Sequence, residues 1–147
     1  MDQFEHERLD VYRTSIEFLV LSDQMASALP RGRASLADQL RRAASSIPLN
    51  IAEGAGEFAA ADKARFYRFA RRSATESAAI IDALAALELT AESLRTCGRG
   101  LLLRIVAMLT AMVLKISGSG SGHIRALGSG SNPSFETTPK HQRSRCD

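Results

Sequence analysis

The chain has 147 residues, 45% of them hydrophobic, which is enough for one domain with one core. Its 19 basic and 16 acidic residues leave a net charge of only +3, so composition alone gives no argument for nucleic-acid binding. The charged opening, MDQFEHERLD, lacks the character of a secretory leader, and Arg104 and Lys115 interrupt the most apolar run. We therefore expect a cytoplasmic protein with no membrane segment.

The first 116 residues contain just two prolines, Pro30 and Pro48, and show no alternating strand pattern. Apolar spacing predicts four helices joined by short breaks, with Ser35 and Thr90 as the N-caps of the second and fourth helices. Their predicted ranges are about 7–29, 35–57, 61–88 and 91–116. The expected fold is all-α, an antiparallel up-and-down four-helix bundle over 1–116. The Gly/Ser-rich residues 117–147 are predicted to form a flexible, disordered tail.

The first helix has two apolar stripes. The stripe of Leu9, Tyr12, Ile16, Leu19 and Val20 is predicted to face the core, which would leave the other stripe exposed. A second coherent stripe exceeds scattered surface residues and predicts a subunit interface, although a monomer with a patchy surface is the alternative. The predicted interface consists of Val11, Phe18, Leu21, Met25, Leu49, Leu103 and Leu114.

The second helix carries a polar stripe beside its apolar one. Pro48 removes the amide that would bond the carbonyl of Ala44, and Ser45, Ser46 or Asn50 could supply a donor. The stripe consists of Gln39, Arg42, Ser46, Asn50, Glu53 and Glu57. Catalysis by Glu53 is the alternative to an architectural role, but a carboxylate without a convergent His, Cys or second carboxylate is not a catalytic constellation. The sequence favours architecture.

The third helix carries five basic residues within ten positions. The candidate nucleic-acid-binding residues are Lys63, Arg65, Arg68, Arg71 and Arg72, with Arg42 from the second helix. Such a cluster binds phosphates without recognising sequence, whereas the alternative is a solvated face that Glu76 partly neutralises. We expect no aromatic residue on this face, and so no base stacking.

Residues for enzymatic chemistry are not predicted. His6, His123 and His141 lie outside the predicted helices, and the sequence has no glycine-rich phosphate loop, nucleophile elbow or metal-ligand pair. We therefore expect no catalytic residue, metal or cofactor. A structural or assembly subunit with protein partners only is the alternative to a nucleic-acid-binding protein.

Two segments carry a resemblance to a known family. "DQLRRAASSIPLNIAEGAGE" and "ARFYRFARRSATESAAIIDAL" resemble the four-helix-bundle proteins encoded in intervening sequences of bacterial 23S ribosomal RNA genes, a family that includes the accessory variability proteins of diversity-generating retroelements. The resemblance covers about 9–116. Its elements fall on Gln39, Arg41, Arg42, Ala43, Ala44, Ile47, Pro48, Asn50, Ile51, Ala52, Glu53, Gly54, Phe66 or Phe69, Ala70, Ser73 and Glu76.

The resemblance implies a homo-oligomer, with a homopentameric ring in the retroelement members, and no known enzymatic activity. It also implies a basic surface that binds RNA or DNA and protein partners, such as a reverse transcriptase. Three positions depart from the family pattern. Leu49 adds apolar surface where a small residue is usual, Glu57 removes positive charge, and Arg72 stands where glycine often precedes the serine.

Overall fold

A computed structural model describes residues 2–119 as a bundle of four α-helices without strands in that range. The helices are α1 (Asp10–Ser27), α2 (Ala34–Gly56), α3 (Ala60–Ala86) and α4 (Glu92–Ser119). Short 3-10 helices at Glu5–Arg8 and Arg31–Arg33 precede α1 and α2. The all-α prediction is confirmed, and the predicted helix ends lie within three residues of those observed. Residues 117–119 continue α4, while the rest of the predicted tail lies outside the described residues.

The helices form a square in which α1 contacts α2 and α4, and α3 contacts the same two helices. Their side-chain contacts show that neighbours are antiparallel. Ser46 bonds Ser73, and Lys63 bonds the carbonyl of Ala55, so residue numbers rise along α2 as they fall along α3. Connections of only a few residues impose this up-and-down order.

The most buried face of α1 is not the predicted stripe, although Leu9, Tyr12 and Leu19 of that stripe are half-buried and pack against the core. Val11, Phe18, Leu21 and Met25, assigned to a subunit interface by their spacing, are buried among the other helices, and Phe18 is 0% exposed. Val20 from the predicted core stripe is instead 56% exposed. The prediction of an interface at these four buried residues is therefore wrong.

Small hydroxyl side chains explain why α1 buries this face. Thr14, Ser15 and Ser22 are buried there, and each hydroxyl donates to a carbonyl of the preceding turn, at 2.9, 2.6 and 2.8 Å respectively. A hydroxyl satisfied within its own helix costs little to bury. These polar residues therefore lie on the buried stripe of α1. In the sequence they make this stripe less apolar than the predicted stripe on the other side of the helix.

Neither predicted N-cap forms. Helix α2 begins at Ala34, so Ser35 lies inside it, and the buried Oγ1 of Thr90 has no hydrogen-bond partner among the described residues. At the end of α3 the backbone groups are hydrogen-bonded, because the amides of Glu88 and Leu89 donate to the carbonyls of Ala85 and Leu84 respectively. This turn holds Glu88 at a φ of 57°, a left-handed conformation that usually favours glycine.

Helix α4 leaves an apolar face outside the bundle. By length and composition alone it could cross a membrane, and only 17% of its most apolar window is buried. Leu103 and Leu114, each 66% exposed, lie on this outer face together with Ala107 and Gly100. Core helices of globular proteins usually turn charged residues outward, so this face is unusual for an isolated subunit.

Candidate nucleic-acid interface

Three arginines share the outer face of α3. Arg65, Arg68 and Arg72 are all exposed, and at about 100° per residue they fall within about 60° of one another around the helix. The opposite side of α3 carries Ala70, Ala74 and other buried residues that pack in the core. Core packing therefore fixes the direction in which the three arginines point.

Two of these guanidinium groups are not neutralised by described residues. Arg65 lies 3.5 Å from a carboxylate oxygen of Asp62, but Arg68 and Arg72 make neither an ion pair nor a hydrogen bond within the described range. Glu76, expected to neutralise Arg72 partly, forms no ion pair with it. On α4, by contrast, Arg99 lies 2.7 Å from Asp82. The outer face of α3 therefore presents positive charge that is available to an anion.

Aromatic rings border the same arginines, contrary to the sequence-based expectation. Phe69 lies between Arg65 and Ser73 around α3 and is 38% exposed. Its ring meets that of Phe66 edge-to-face with centroids 6.1 Å apart, and the Arg65 guanidinium lies 5.4 Å from the Phe66 centroid. The expectation that no aromatic residue lies on this face is therefore wrong. Phe69 was missed because its spacing also fits the core stripe of α3.

The other three candidate basic residues point elsewhere. Lys63 is half-buried, and its Nζ donates over 3.4 Å to the Ala55 carbonyl near the C-terminus of α2, where the helix dipole favours a cation. Arg71 is exposed and lies about 60° around α3 from Arg68 but about 100° from Arg72 and about 120° from Arg65, so it borders the shared face without lying on it. Arg42 lines an open depression of about 930 Å³ between α1 and α2, next to Arg41 and other residues. The structure thus reduces the predicted six-residue cluster to Arg65, Arg68 and Arg72.

A polar notch lies beside these arginines, between α2 and α3. Its volume is about 310 Å³, and its lining, which we call the α2–α3 notch, consists of Ser46, Asn50, Phe69, Arg72, Ser73 and Glu76. The hydroxyl of Ser73 donates to that of Ser46 over 2.8 Å. The amide nitrogen of Asn50 donates to the carbonyl of Ser46 at 2.8 Å and to its hydroxyl at 2.9 Å. This network joins the polar stripe of α2 to α3.

Gly54 lets the two helices approach closely at one end of this interface. A Cβ at Gly54 would lie 2.7 Å from Cε1 of Tyr67 and 3.1 Å from Cβ of Phe66. Tyr67 is buried, and desolvation raises the pKa of its phenol. A side chain at residue 54 would push against the segment of α3 that carries the aromatic pair and the arginines.

The remaining residues of the α2 stripe have limited contacts. Helix α2 continues through the buried Pro48, and no described side chain donates to the Ala44 carbonyl, because the Ser45 hydroxyl donates to Arg42 instead. Gln39 bonds only Ser35 among the described side chains, over 3.4 Å. Glu53 is exposed without a hydrogen-bond or ion-pair partner in the described range. Among residues 2–119 no group of three or more His, Cys, Asp or Glu could hold a metal ion.

The architecture and this surface define a small helical bundle with a basic outer face. The family described as 23S rRNA-intervening sequence protein matches residues 7–111, well over half of the chain. The chain therefore belongs to this family, a group of small helical proteins not known as enzymes. No curated protein matches the chain.

Proposed function

We propose that this protein is a non-enzymatic, cytoplasmic homo-oligomer that binds the phosphate backbone of RNA or DNA through the outer face of α3. The observation that carries the proposal is the exposed cluster of Arg65, Arg68 and Arg72, two of which lack a counter-charge among the described residues. Contacts to phosphates supply affinity without sequence recognition.

Homo-oligomerisation would compensate for the small number of arginines on each chain. The net charge of +3 is too small to attract a polyanion strongly over the whole surface. A ring repeats the three-arginine face once per subunit, so that weak contacts with one nucleic-acid strand add as avidity. We propose a homopentamer, because the family resemblance includes homopentameric rings.

Two separate apolar patches support a ring of identical subunits. One is the outer face of α4, with Leu103 and Leu114, and the other is formed by Ile16, Val20 and Leu49 on α1 and α2. The ion pair between Asp23 and Arg41 places Ile16 and Leu49 at similar levels along the antiparallel helices α1 and α2. Contact between the first patch of one subunit and the second patch of the next is heterologous. Heterologous contacts form a ring when the rotation between neighbouring subunits closes.

The affinity of the protein for nucleic acid tests the proposal. The triple variant Arg65→Ala/Arg68→Ala/Arg72→Ala is compared with wild type at low salt, using labelled single-stranded and duplex probes of scrambled sequence. We expect binding by the wild type and a loss of at least tenfold in the variant, since three charge contacts are removed from each subunit.

A matched control separates this face from net charge. Arg31→Ala/Arg33→Ala/Arg104→Ala removes three exposed arginines outside the α3 face and should retain most of the affinity. Because Arg104 borders the outer face of α4, light scattering must first give the control the same mass as the wild type. If both triple variants bind like the wild type, or if the wild type does not bind at low salt, the proposal fails. A role in assembly with protein partners only, including a reverse transcriptase, would then account better for the exposed apolar patches.

A further inference from the structure

We infer that the α2–α3 notch accepts a single unpaired nucleobase, so that the protein prefers single-stranded nucleic acid to duplex. This inference rests on the proposed function, because the neighbouring arginines would bring the strand to the notch. It goes further by assigning a binding site for the base itself, formed by Phe69, Arg72, Glu76 and Asn50.

Phe69 provides the stacking surface. Its ring is 38% exposed at the mouth of the notch, and the edge-to-face contact with Phe66 restricts its movement. The guanidinium of Arg65 lies 5.4 Å from the centroid of the Phe66 ring, so the pair has a further packing partner. A packed aromatic ring that remains partly exposed is the kind of platform on which single-strand-binding proteins stack bases.

Arg72 and Glu76 supply opposite charges that are both free to meet a ligand. They lie one helical turn apart and line the same notch, yet no ion pair forms between them. A nucleotide has the matching groups, since its phosphate is an anion for Arg72 and its base offers N–H donors to the Glu76 carboxylate.

Asn50 adds a second acceptor. Its amide nitrogen is committed to the Ser46 carbonyl and hydroxyl, whereas its oxygen makes no hydrogen bond to a described residue. The Asn50 oxygen and the Glu76 carboxylate together favour a base edge with adjacent donors. Guanine offers such an edge at N1 and N2, but the single N–H of uracil or thymine lies between two carbonyl acceptors.

Contact with the notch requires an unpaired base. The notch is an open depression of about 310 Å³, at the lower end of the range of ligand pockets, which is the scale of one nucleotide. In a duplex both faces of each base are stacked and its pairing edge is occupied. A base therefore has to be unpaired to contact Phe69 and Glu76 at once.

The test measures base stacking separately from phosphate binding. A single-stranded probe with one 2-aminopurine, whose fluorescence falls on stacking, is titrated with wild type, Phe69→Leu and the Arg31→Ala/Arg33→Ala/Arg104→Ala control. We expect quenching by the wild type and the control. Phe69→Leu keeps the apolar bulk but removes the aromatic face, so it should abolish quenching and weaken single-strand binding about tenfold while leaving duplex binding unchanged.

A second comparison tests the acceptors. A uridine-rich probe with one guanosine should bind several-fold more tightly than the same probe without it, and Glu76→Ala, which removes the acceptor, should remove that preference without weakening binding of the all-uridine probe. Salt-dependent binding with equal affinity for single strand and duplex, unaffected by Phe69→Leu, would overturn this inference and leave the proposed function standing. No salt-dependent binding of any probe would overturn both.

Discussion

The outer faces of α3 and α4 are both exposed, but they are built from opposite chemistry. The α3 face presents Arg65, Arg68 and Arg72, whereas the α4 face presents Leu103, Ala107 and Leu114. An exposed apolar face is stabilised when another surface covers it, whereas arginines without a counter-charge favour binding of a polyanion. This difference is the reason why we propose binding for the α3 face and subunit assembly for the α4 face.

The largest expected effect is a loss of stability, which distinguishes a substitution in the core from one on the outer face of α4. Phe18→Glu places a charge at a fully buried position, so we expect it to cost more than about 4 kcal/mol and to unfold the bundle. Leu103→Glu changes an exposed residue and should leave helicity intact while dissociating the oligomer. Circular dichroism and light scattering check the two outcomes.

Phe18 belonged to the interface predicted from the sequence, but it is buried, so Leu103→Glu is the substitution that tests subunit contact. If Leu103→Glu leaves the oligomer mass unchanged at micromolar concentration, the α4 face is not a subunit contact. If the wild type instead binds membranes and Leu103→Glu releases it, the apolar face of α4 contacts lipid rather than another subunit.

Alanine substitutions at two glycines compare the packed contact of α2 and α3 with the exposed side of α4. Gly54→Ala should destabilise the protein by about 1–3 kcal/mol, because its Cβ would meet the Tyr67 ring at 2.7 Å. Gly100→Ala, on the outer side of α4, meets no atom within 4 Å and should stabilise by about 0.5–1 kcal/mol through helix propensity.

Urea denaturation measures the free energy of unfolding of both variants. Each variant is studied at a concentration where its oligomeric state matches that of the wild type. Equal effects of the two alanines would contradict the close approach of α2 and α3. Because Gly54 lies against the segment that carries Phe66, Gly54→Ala should also weaken nucleic-acid binding, and Gly100→Ala should not.

The sequence predicted most of the fold, since helix periodicity, turn residues and short connections determine the number, ends and order of the helices. The apolar stripe that the sequence shows on α2 lies in the core, where Leu40, Ile47 and Ile51 are buried. The sequence-based prediction failed on α1, because both stripes are apolar and the choice depends on which face the other helices cover. The charged residues Arg13 and Asp23 lie on the same side of α1 as Val20, and this pattern in the sequence indicates that the side is exposed.

The candidate site was only partly predictable. The arginines followed from helical spacing, but spacing could not show that Lys63 turns back to the Ala55 carbonyl, or that Phe69 stays at the surface. The hydrogen bond from Ser73 to Ser46 joins residues 27 positions apart. Such contacts depend on the tertiary register of α2 and α3, which a local pattern does not contain.

The smallest expected effect is a change in stability from substitutions in the turn between α3 and α4. Glu88 occupies a left-handed conformation, so Glu88→Gly should raise stability by up to about 1 kcal/mol, whereas Glu88→Ala should not. Thermal unfolding of the two variants side by side measures this. A glycine variant less stable than the alanine variant would contradict the conformation of this turn, and neither change should affect nucleic-acid affinity.

The salt dependence of nucleic-acid affinity tests the central claim most directly. The slope of log affinity against log salt is measured for wild type, for Arg65→Ala/Arg68→Ala/Arg72→Ala, and for the matched Arg31→Ala/Arg33→Ala/Arg104→Ala control. Each lost phosphate contact lowers the slope by about 0.7–0.9, so we predict a clearly flatter line for the α3 variant and a line near that of the wild type for the control. Three parallel lines would contradict the assignment of the α3 face as the nucleic-acid interface.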